Sequence, residues 1–243
     1  TGNGDEDLTN AGSLTLSTAT KAGTLATNTV GFVGVDEVTG TGTVSGDSNG
    51  TTFSNFTAGP NFDANSIGFA GYSTIAGPAG SDDQITANSD ITLNGTESGT
   101  VTTGTVVFSG IETISGSSNN VTGSGSADNI TLAGTYVTVS LGSGADEITV
   151  ADGATITTIN GEADNDQITL QGGASVTTID GGAGDDEIDI AGITGAINVN
   201  LDTPTIAGVV TTIISVETYT GGSEDTLTCP TSANTWTLDG TPT

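Results

Sequence analysis

A short acidic turn recurs at nearly constant spacing in the second half of the chain. The four copies read GSGSADNIT from Gly123, LGSGADEIT from Leu141, GEADNDQIT from Gly161 and GGAGDDEID from Gly181. The sixth positions of these copies are Asp128, Asp146, Asp166 and Asp186, with spacings of 18, 20 and 20 residues. A repeat of this length corresponds to one coil of a narrow parallel solenoid, in which equivalent residues stack on one another.

Each acidic turn is followed by two strand-like segments. The eighth-position isoleucines, which should form an inward ladder, are Ile130, Ile148, Ile168 and Ile188. The second segments read TYVTVSL, ATITTIN and ASVTTID; in the last two, the apolar residues lie three apart, which predicts a bend or bulge. We therefore predict an all-β fold, a right-handed parallel β-solenoid of the β-roll or β-helix type. Its coils have about 18–20 residues, and residues 117–200 support it best.

Composition agrees with this prediction. Apolar residues make up 33% of the 243 residues and aromatic residues 4%, so a large globular core is not expected. The 38 glycines and the many threonines favour β-strands joined by tight turns over helices.

The net charge of −28, with Lys21 as the sole basic residue, points to cations as partners. Nucleic acid and anionic membrane surfaces would be repelled, and no apolar run is long enough for membrane insertion. In a solenoid, the four aspartates would stack at about 4.8 Å per coil. Such a column of carboxylates needs bound cations, protonation or outward splaying of the side chains.

The stretch from Gly181 to Asp189 matches the nine-residue repeat G-G-x-G-x-D-x-aliphatic-x at every fixed position. In this respect the chain resembles the RTX-type β-roll of secreted bacterial proteins. The resemblance implies Ca²⁺ as the cofactor, with oxygens from the sixth-position aspartates and from the carbonyls of the glycine turns. It also implies that each ion lies between the turns of neighbouring coils.

Transferred to this sequence, the resemblance gives a set of candidate metal ligands: Asp128, Asp146, Asp164, Asp166, Asp185, Asp186, Gly142, Gly144, Gly161, Gly181 and Ala183. The turns on the opposite side lack the carboxylate, so we expect a single row of up to three ions. Glu162 and Asp164 stand where the family has glycines, which weakens the expected affinity. Alternatively, these residues simply form good turns and the acids are solvated.

A second phrase occurs as FVGVDEVTG from Phe32, FSGIETISG from Phe108 and IISVETYTG from Ile213. It resembles linking segments in large bacterial surface proteins of the adhesin, haemagglutinin-like and S-layer kind. We predict a β-rich repeat module over 1–116 with degenerate acidic turns such as AGSDDQIT from Ala79, a calcium-binding β-roll over 117–221 and a partial repeat or linking tail over 222–243. The opening TGNGDEDLT resembles GGSEDTLT from Gly221. This favours a segment of a longer repetitive protein, or alternatively a polymer subunit whose ends complete each other.

Catalysis has little support in the sequence. The chain has no histidine and no arginine, which argues against a Ser-His triad, His-ligated zinc and the cationic site of a polysaccharide lyase. Asp185 and Asp186 are adjacent on a turn and should point apart, unlike the carboxylate pair of a glycosidase. We therefore expect a protein that is not an enzyme.

The expected function is that of a structural module in an extracellular surface protein, lattice or fibre, folded and rigidified by Ca²⁺. The partners would be calcium ions and, in an assembly, copies of the chain arranged end to end or in a lattice. One alternative is an adhesin module that recognises surface glycans through the aromatic residues between Phe53 and Tyr72. Others are an accessory solenoid of a carbohydrate-active enzyme, and an acidic surface adapted to high salt.

Overall fold

The computed structural model describes residues 7–17, 22–25, 30–33, 35–64, 66–78 and 82–228. Within these ranges every regular element is a β-strand, which confirms the all-β prediction. Lys21, the first six residues and residues 229–243 lie outside the described residues.

The strands form two long sheets. Sheet A has the spatial order β1 (Asp7–Ala11), β5 (Glu37–Gly40), β9 (Ile67–Ala70), β8 (Asn61–Ala64), β7 (Thr52–Thr57), β11 (Gln84–Thr86), β15 (Thr113–Ser115), β17 (Asn129–Leu132), β19 (Glu147–Val150), β21 (Gln167–Leu170), β23 (Glu187–Asp189) and β27 (Thr218–Thr220). Sheet B has the order β28 (Thr226–Thr228), β24 (Asn198–Asn200), β25 (Thr205–Ile206), β26 (Val210–Ile214), β22 (Ser175–Asp180), β20 (Thr155–Ala163), β18 (Thr135–Ser143), β16 (Ser117–Thr122), β12 (Ile91–Leu93), β13 (Gly99–Val101), β14 (Val106–Ser109), β10 (Thr74–Ala76), β6 (Thr43–Ser45), β2 (Leu14–Leu16), β3 (Ala22–Leu25) and β4 (Val30–Val33).

Between β15 and β23 the chain alternates between the two sheets, and all neighbouring strands are parallel. The register aligns Ile130, Ile148, Ile168 and Ile188, the predicted inward ladder. In β20, Ile156 and Ile159 are both buried, whereas Thr157 between them is exposed and has no partner in the register. This part of the fold is compatible with a β-solenoid.

The sheets are not parallel throughout. Four antiparallel meanders interrupt them, formed by β2–β3–β4, β7–β8–β9, β12–β13–β14 and β24–β25–β26. Tight hairpins need residues with positive φ, and Ser66, Glu97, Thr105 and Gly208 supply them at φ values of 60°, 53°, 55° and 77°. The last strand of a meander runs back to pair with the preceding coil: β9 with β5, β14 with β10 and β26 with β22.

These meanders explain the second repeated phrase. FSGIETISG contains the end of β14 and all of β15, and the other two copies link β4 to β5 and β26 to β27. The phrase therefore marks the passage from a meander in sheet B to sheet A. A fourth copy, FAGYSTIAG from Phe69, links β9 in sheet A to β10 in sheet B.

One hydrophobic core runs between the sheets from Leu14 to Ile213. Both sheets continue across residue 116, because β15 pairs with β11 and β17, and β16 pairs with β12 and β18. Phe53, Phe62, Phe69 and Tyr72 form a chain of ring contacts inside this core, with centroids 5.3–5.9 Å apart. These rings are at most 2% exposed, so they serve to pack the core.

Tyr136 connects the two sheets. It belongs to β18 of sheet B and is fully buried, and its hydroxyl donates a hydrogen bond of 2.6 Å to the carbonyl of Ile114 in sheet A. The ring thus fills the core while its polar end is satisfied on the opposite sheet.

We predict that Tyr136→Phe lowers the free energy of unfolding by about 1 kcal/mol, because it removes one buried hydrogen bond without a change in packing. Tyr136→Ala should cost about 3–5 kcal/mol, because it also leaves a cavity. Urea titrations of the three proteins measure both values. Equal losses in the two variants would show that the hydroxyl, and not the ring, dominates.

Candidate functional site

The four aspartates at the sixth positions lie in one column, immediately before β17, β19, β21 and β23. We call Asp128, Asp146, Asp166 and Asp186 the acid column; its members are only 1–2% exposed. Each aspartate precedes its inward-facing isoleucine by two residues, so strand alternation turns the carboxylate toward the interior. The column is therefore part of the inner face of sheet A.

Backbone hydrogen bonds link the column from coil to coil. The N–H of Asp128 donates to Oδ1 of Asp146 at 2.7 Å, and the N–H of Asp146 donates to Oδ1 of Asp166 at 3.0 Å. The N–H of Asp166 donates to Oδ1 of Asp186 at 2.8 Å, and that of Asp186 to Oε2 of Glu217 at 2.9 Å. Each carboxylate thus satisfies the backbone donor of the coil before it.

The second carboxylate oxygen is left without a partner in three members of the column. Oδ2 of Asp146, Asp166 and Asp186 is buried and accepts no hydrogen bond. In Asp128, by contrast, Oδ2 accepts the N–H of Ser124 at 2.7 Å and Oδ1 accepts the N–H of Gly95 at 2.6 Å. A buried carboxylate oxygen without a hydrogen bond is costly unless it is protonated or bound to a cation.

The first glycine of the motif makes room for these oxygens. A Cβ atom at Gly161 would lie 2.5 Å from Oδ2 of Asp166, and one at Gly181 would lie 2.6 Å from Oδ2 of Asp186. The same atoms would come within 2.1 and 2.0 Å of a backbone carbonyl of the following coil. Only glycine fits at these two positions. Leu141, which replaces the first glycine in another copy, is buried in the core.

Burial disfavours the ionised form of three carboxylates of the acid column, Asp146, Asp166 and Asp186. It raises the pKa of Asp146 to about 6 and that of Asp166 to about 7, and it also raises the pKa of Asp186. Backbone hydrogen bonds oppose this shift, whereas neighbouring carboxylates such as Asp164 add to it. The centre of the column is therefore the place where neutralisation is needed most.

The remaining candidate ligands lie on the outside of the turns. Asp164 and Asp185 are exposed, and Oδ2 of Asp164 accepts the N–H of Gly144 at 3.0 Å. The carbonyl of Ala183 accepts the N–H of Asp164 at 2.9 Å. Gly142 and Gly144 have φ values of 103° and 112°, as tight glycine turns require. The predicted residues are thus brought to one side of the fold, but the acids divide into a buried row and an exposed row.

This arrangement fits a divalent cation only in part. In the described part of the chain, no group of three or more acidic or cysteine side chains is clustered closely enough to hold a metal. The three unpartnered oxygens are of the hard type that Ca²⁺ prefers. An ion at the column would need further oxygen ligands, which the RTX resemblance assigns to backbone carbonyls of the glycine turns.

Three further acids, which the sequence reasoning did not include among the candidate ligands, follow the pattern of the column. Asp83 is fully buried and its Oδ1 accepts the N–H of Thr51 at 2.6 Å, while Oε2 of Glu112 accepts the N–H of Asp83 at 2.8 Å. Glu217 receives the last bond of the acid column. The signals were present: Asp83 precedes QIT as Asp166 does, and both glutamates occupy the fifth position of the second phrase.

The outer face of sheet A avoids the stacking of like charges. The side-chain amide of Asn129 donates to Glu147 at 2.8 Å, and that of Gln167 donates to Glu187 at 2.9 Å. Neutral and acidic residues thus alternate along this outer column, whereas the acid column stacks acid on acid. The contrast indicates that the buried carboxylates are there for a specific interaction and not as general surface charge.

No family model, curated protein or solved structure matches this chain. The resemblance to the RTX-type β-roll therefore depends on the residues of the acidic turns themselves. Within the described ranges, no helix is long and apolar enough to cross a membrane.

The raised pKa values predict an unusual pH dependence for the metal-free protein. Between pH 3.8 and about 7, folded Asp166 holds a proton that the unfolded chain has lost, so stability falls as the pH rises through this window. In a chelating buffer, the melting temperature should be higher at pH 5 than at pH 8.

Asp166→Asn, a neutral mimic of the protonated side chain, should flatten this dependence and stabilise the protein at pH 8. Asp202→Asn, which removes one exposed charge from the hairpin loop between β24 and β25, is the matched control. If both variants change the pH profile equally, general charge repulsion and not the column causes it.

Glu162 has a left-handed backbone with a φ of 77°, at a position where the motif has glycine. A non-glycine residue in this conformation costs about 1 kcal/mol, so Glu162→Gly should raise the free energy of unfolding by that amount. Glu162→Ala removes the same exposed charge but keeps the backbone cost. Urea titration separates the two effects, and equal stabilities of the variants would contradict the prediction.

Proposed function

We propose that this chain is a non-enzymatic structural module of an extracellular surface protein, lattice or fibre. In this proposal the two sheets form a right-handed β-solenoid of the RTX-like type, which acts as a rigid spacer. Ca²⁺ bound along the acid column folds and stiffens it.

The observation that supports this proposal most is the set of three buried carboxylates on consecutive coils, each with one unpartnered oxygen. Deprotonated, these groups repel each other and oppose folding. A cation shared between neighbouring turns would offset the repulsion between the carboxylates and give each unpartnered oxygen a binding partner. The regular coils beside the column, which run in register from β17 to β23, would then become more stable together.

Calcium would act through mass action, because it binds the folded column and not the unfolded chain. One site at free calcium tenfold above its Kd contributes about 1.4 kcal/mol. Extracellular calcium modules bind with Kd on the order of 0.1–1 mM, so such sites fill outside cells. A chain exported unfolded would in this way complete its folding on exposure to calcium.

The rival function, glycan recognition through exposed aromatic rings, has less support. Phe53, Phe62, Phe69 and Tyr72 are packed into the core, and Phe56 is the only partly exposed ring between them. A groove of about 380 Å³ does lie beside Phe62, but it is lined mainly by polar and acidic residues such as Asn61 and Asp63. Salt adaptation remains a separate explanation of the charge, and the following experiment distinguishes it.

The test is a calcium titration of chelator-treated protein at pH 8, followed by circular dichroism and calorimetry. We expect the melting temperature of the wild type and of Asp202→Asn to rise with calcium, and that of Asp166→Asn to respond much less. Magnesium and high potassium chloride serve as controls. An equal response of Asp166→Asn would remove the column as the binding site, and stabilisation by potassium chloride alone would favour salt adaptation.

A further inference from the structure

We propose that a second copy of the chain stacks head to tail on the end formed by β27 and β28. In this junction, β1 of the second copy continues sheet A beyond β27, and its β4 continues sheet B beyond β28. The proposal goes beyond the structural role above and does not depend on calcium.

The two ends of the fold present complementary strand edges. Among the described residues, β27 pairs only with β23 and β28 only with β24. At the other end, β1 pairs only with β5 and β4 only with β3. Among the described residues, each end thus has one strand in each sheet that is paired on one side only, and an unpaired strand edge is a template for pairing with another chain.

The strand directions allow both edges to pair at once. In sheet A, β1 and β27 are each parallel to their neighbours, so a copy in the same orientation brings them together as a parallel pair. In sheet B, β4 is antiparallel to β3 and β3 to β2, so β4 runs in the same direction as β2 and the parallel strands beyond it. It would meet β28 as a parallel partner.

The chain already contains three junctions of this kind. The last strand of a meander runs back to the strand of the preceding coil at β9–β5, β14–β10 and β26–β22. β4 is the last strand of the first meander and has no preceding coil among the described residues. A stacked copy supplies that coil through β28, and the new junction repeats the geometry of β26 on β22.

The backbone N–H of Leu227 and the exposed apolar side chain of the same residue both support a contact at the end formed by β27 and β28. Thr226 donates its N–H to Ile197, and the carbonyl of Thr228 accepts from Leu201, so the N–H of Leu227 between them faces the open edge. The Leu227 side chain is 46% exposed. A cavity of about 200 Å³ at this end is lined by Ile190, Val199, Tyr219 and Leu227.

Head-to-tail contact of this type is heterologous and does not close on itself, so it generates a filament. The copies share the same strong negative charge, with a formal net charge of −28 each. Association should therefore strengthen as salt screens the repulsion.

Sedimentation velocity and electron microscopy of the full chain at rising concentration and ionic strength test the proposal. The wild type should form linear oligomers. Leu227→Pro, which removes the outward N–H and leaves the bonds of Thr226 and Thr228 to β24, should weaken association at least tenfold. Leu227→Thr keeps the N–H and is the matched control, which should still associate.

Leu227→Asp, which keeps the N–H but places a carboxylate on the apolar end, is a second blocking variant in case proline disturbs the fold. Circular dichroism of dilute samples checks folding in each case. A wild type that stays monomeric at every concentration and salt level would overturn the proposal. So would blocking variants that assemble like the wild type, because the contact would then lie elsewhere. The sedimentation and microscopy experiments are made both with and without calcium. Association that does not depend on calcium therefore supports this proposal even if the protein does not bind calcium.

Discussion

The interaction on which the fold depends is the hydrogen bond between a buried carboxylate and the backbone N–H of the acid in the preceding coil. Three such bonds link Asp128 to Asp186, and a fourth continues the series to the exposed carboxylate of Glu217. They fix the position of each acidic turn against its neighbour, and the isoleucine that follows two residues later takes its place in the core. The cost is a row of carboxylates with little exposure and raised pKa values at Asp146, Asp166 and Asp186.

This conflict between hydrogen bonding and charge connects structure and proposed function. Protons neutralise the column in acid, and in the proposed function a cation would do so at neutral pH. In acidic, calcium-free conditions, protonated carboxylates would relieve the repulsion within the column. At neutral pH in the presence of calcium, the ion would replace the proton. The exposed acids Asp164 and Asp185 lie beside the column and raise the local negative potential, which favours the cation.

The regular part of this fold could be predicted from the sequence, because its signals repeat. The spacing of Asp128, Asp146, Asp166 and Asp186 predicted the stacking, and the alternation after each of them predicted the inward isoleucines. The meanders could not be predicted in the same way. Gly95 and Gly104, both with positive φ, do mark the two hairpins of β12–β13–β14, but Ser66 in the hairpin between β8 and β9 carries no such signal. No local signal shows that the last strand of a meander pairs with the preceding coil. The sequence alone reveals that the second phrase is repeated, but not its structural role. Only the strand pairing shows that the phrase links a meander to the other sheet.

The direction of the acidic side chains was also beyond the sequence reasoning. A carboxylate on a glycine turn is equally compatible with solvent and with an ion site, and only the packing shows that Asp166 faces the core while Asp164 faces outward. The turn that contains Asp83 was visible as a degenerate copy of the acidic turn, but its link to Glu112 was not. The hydrogen bonds of Asp83 with Thr51 and of Glu112 with Asp83 join residues about 30 positions apart, on the scale that a meander adds to one repeat.

The most direct test of the account is a titration of the aspartate carboxyl groups by carbon-13 NMR, in the absence and in the presence of calcium. In metal-free protein, Asp146 and Asp166 should titrate near pH 6 and pH 7. Calcium should shift the carboxyl resonances of Asp146 and Asp166 and abolish their titration in this range, whereas the addition of calcium should not move the resonance of Asp202. If Asp146 and Asp166 titrate near pH 4 and do not respond to calcium, the claim that these buried acids need neutralisation is contradicted.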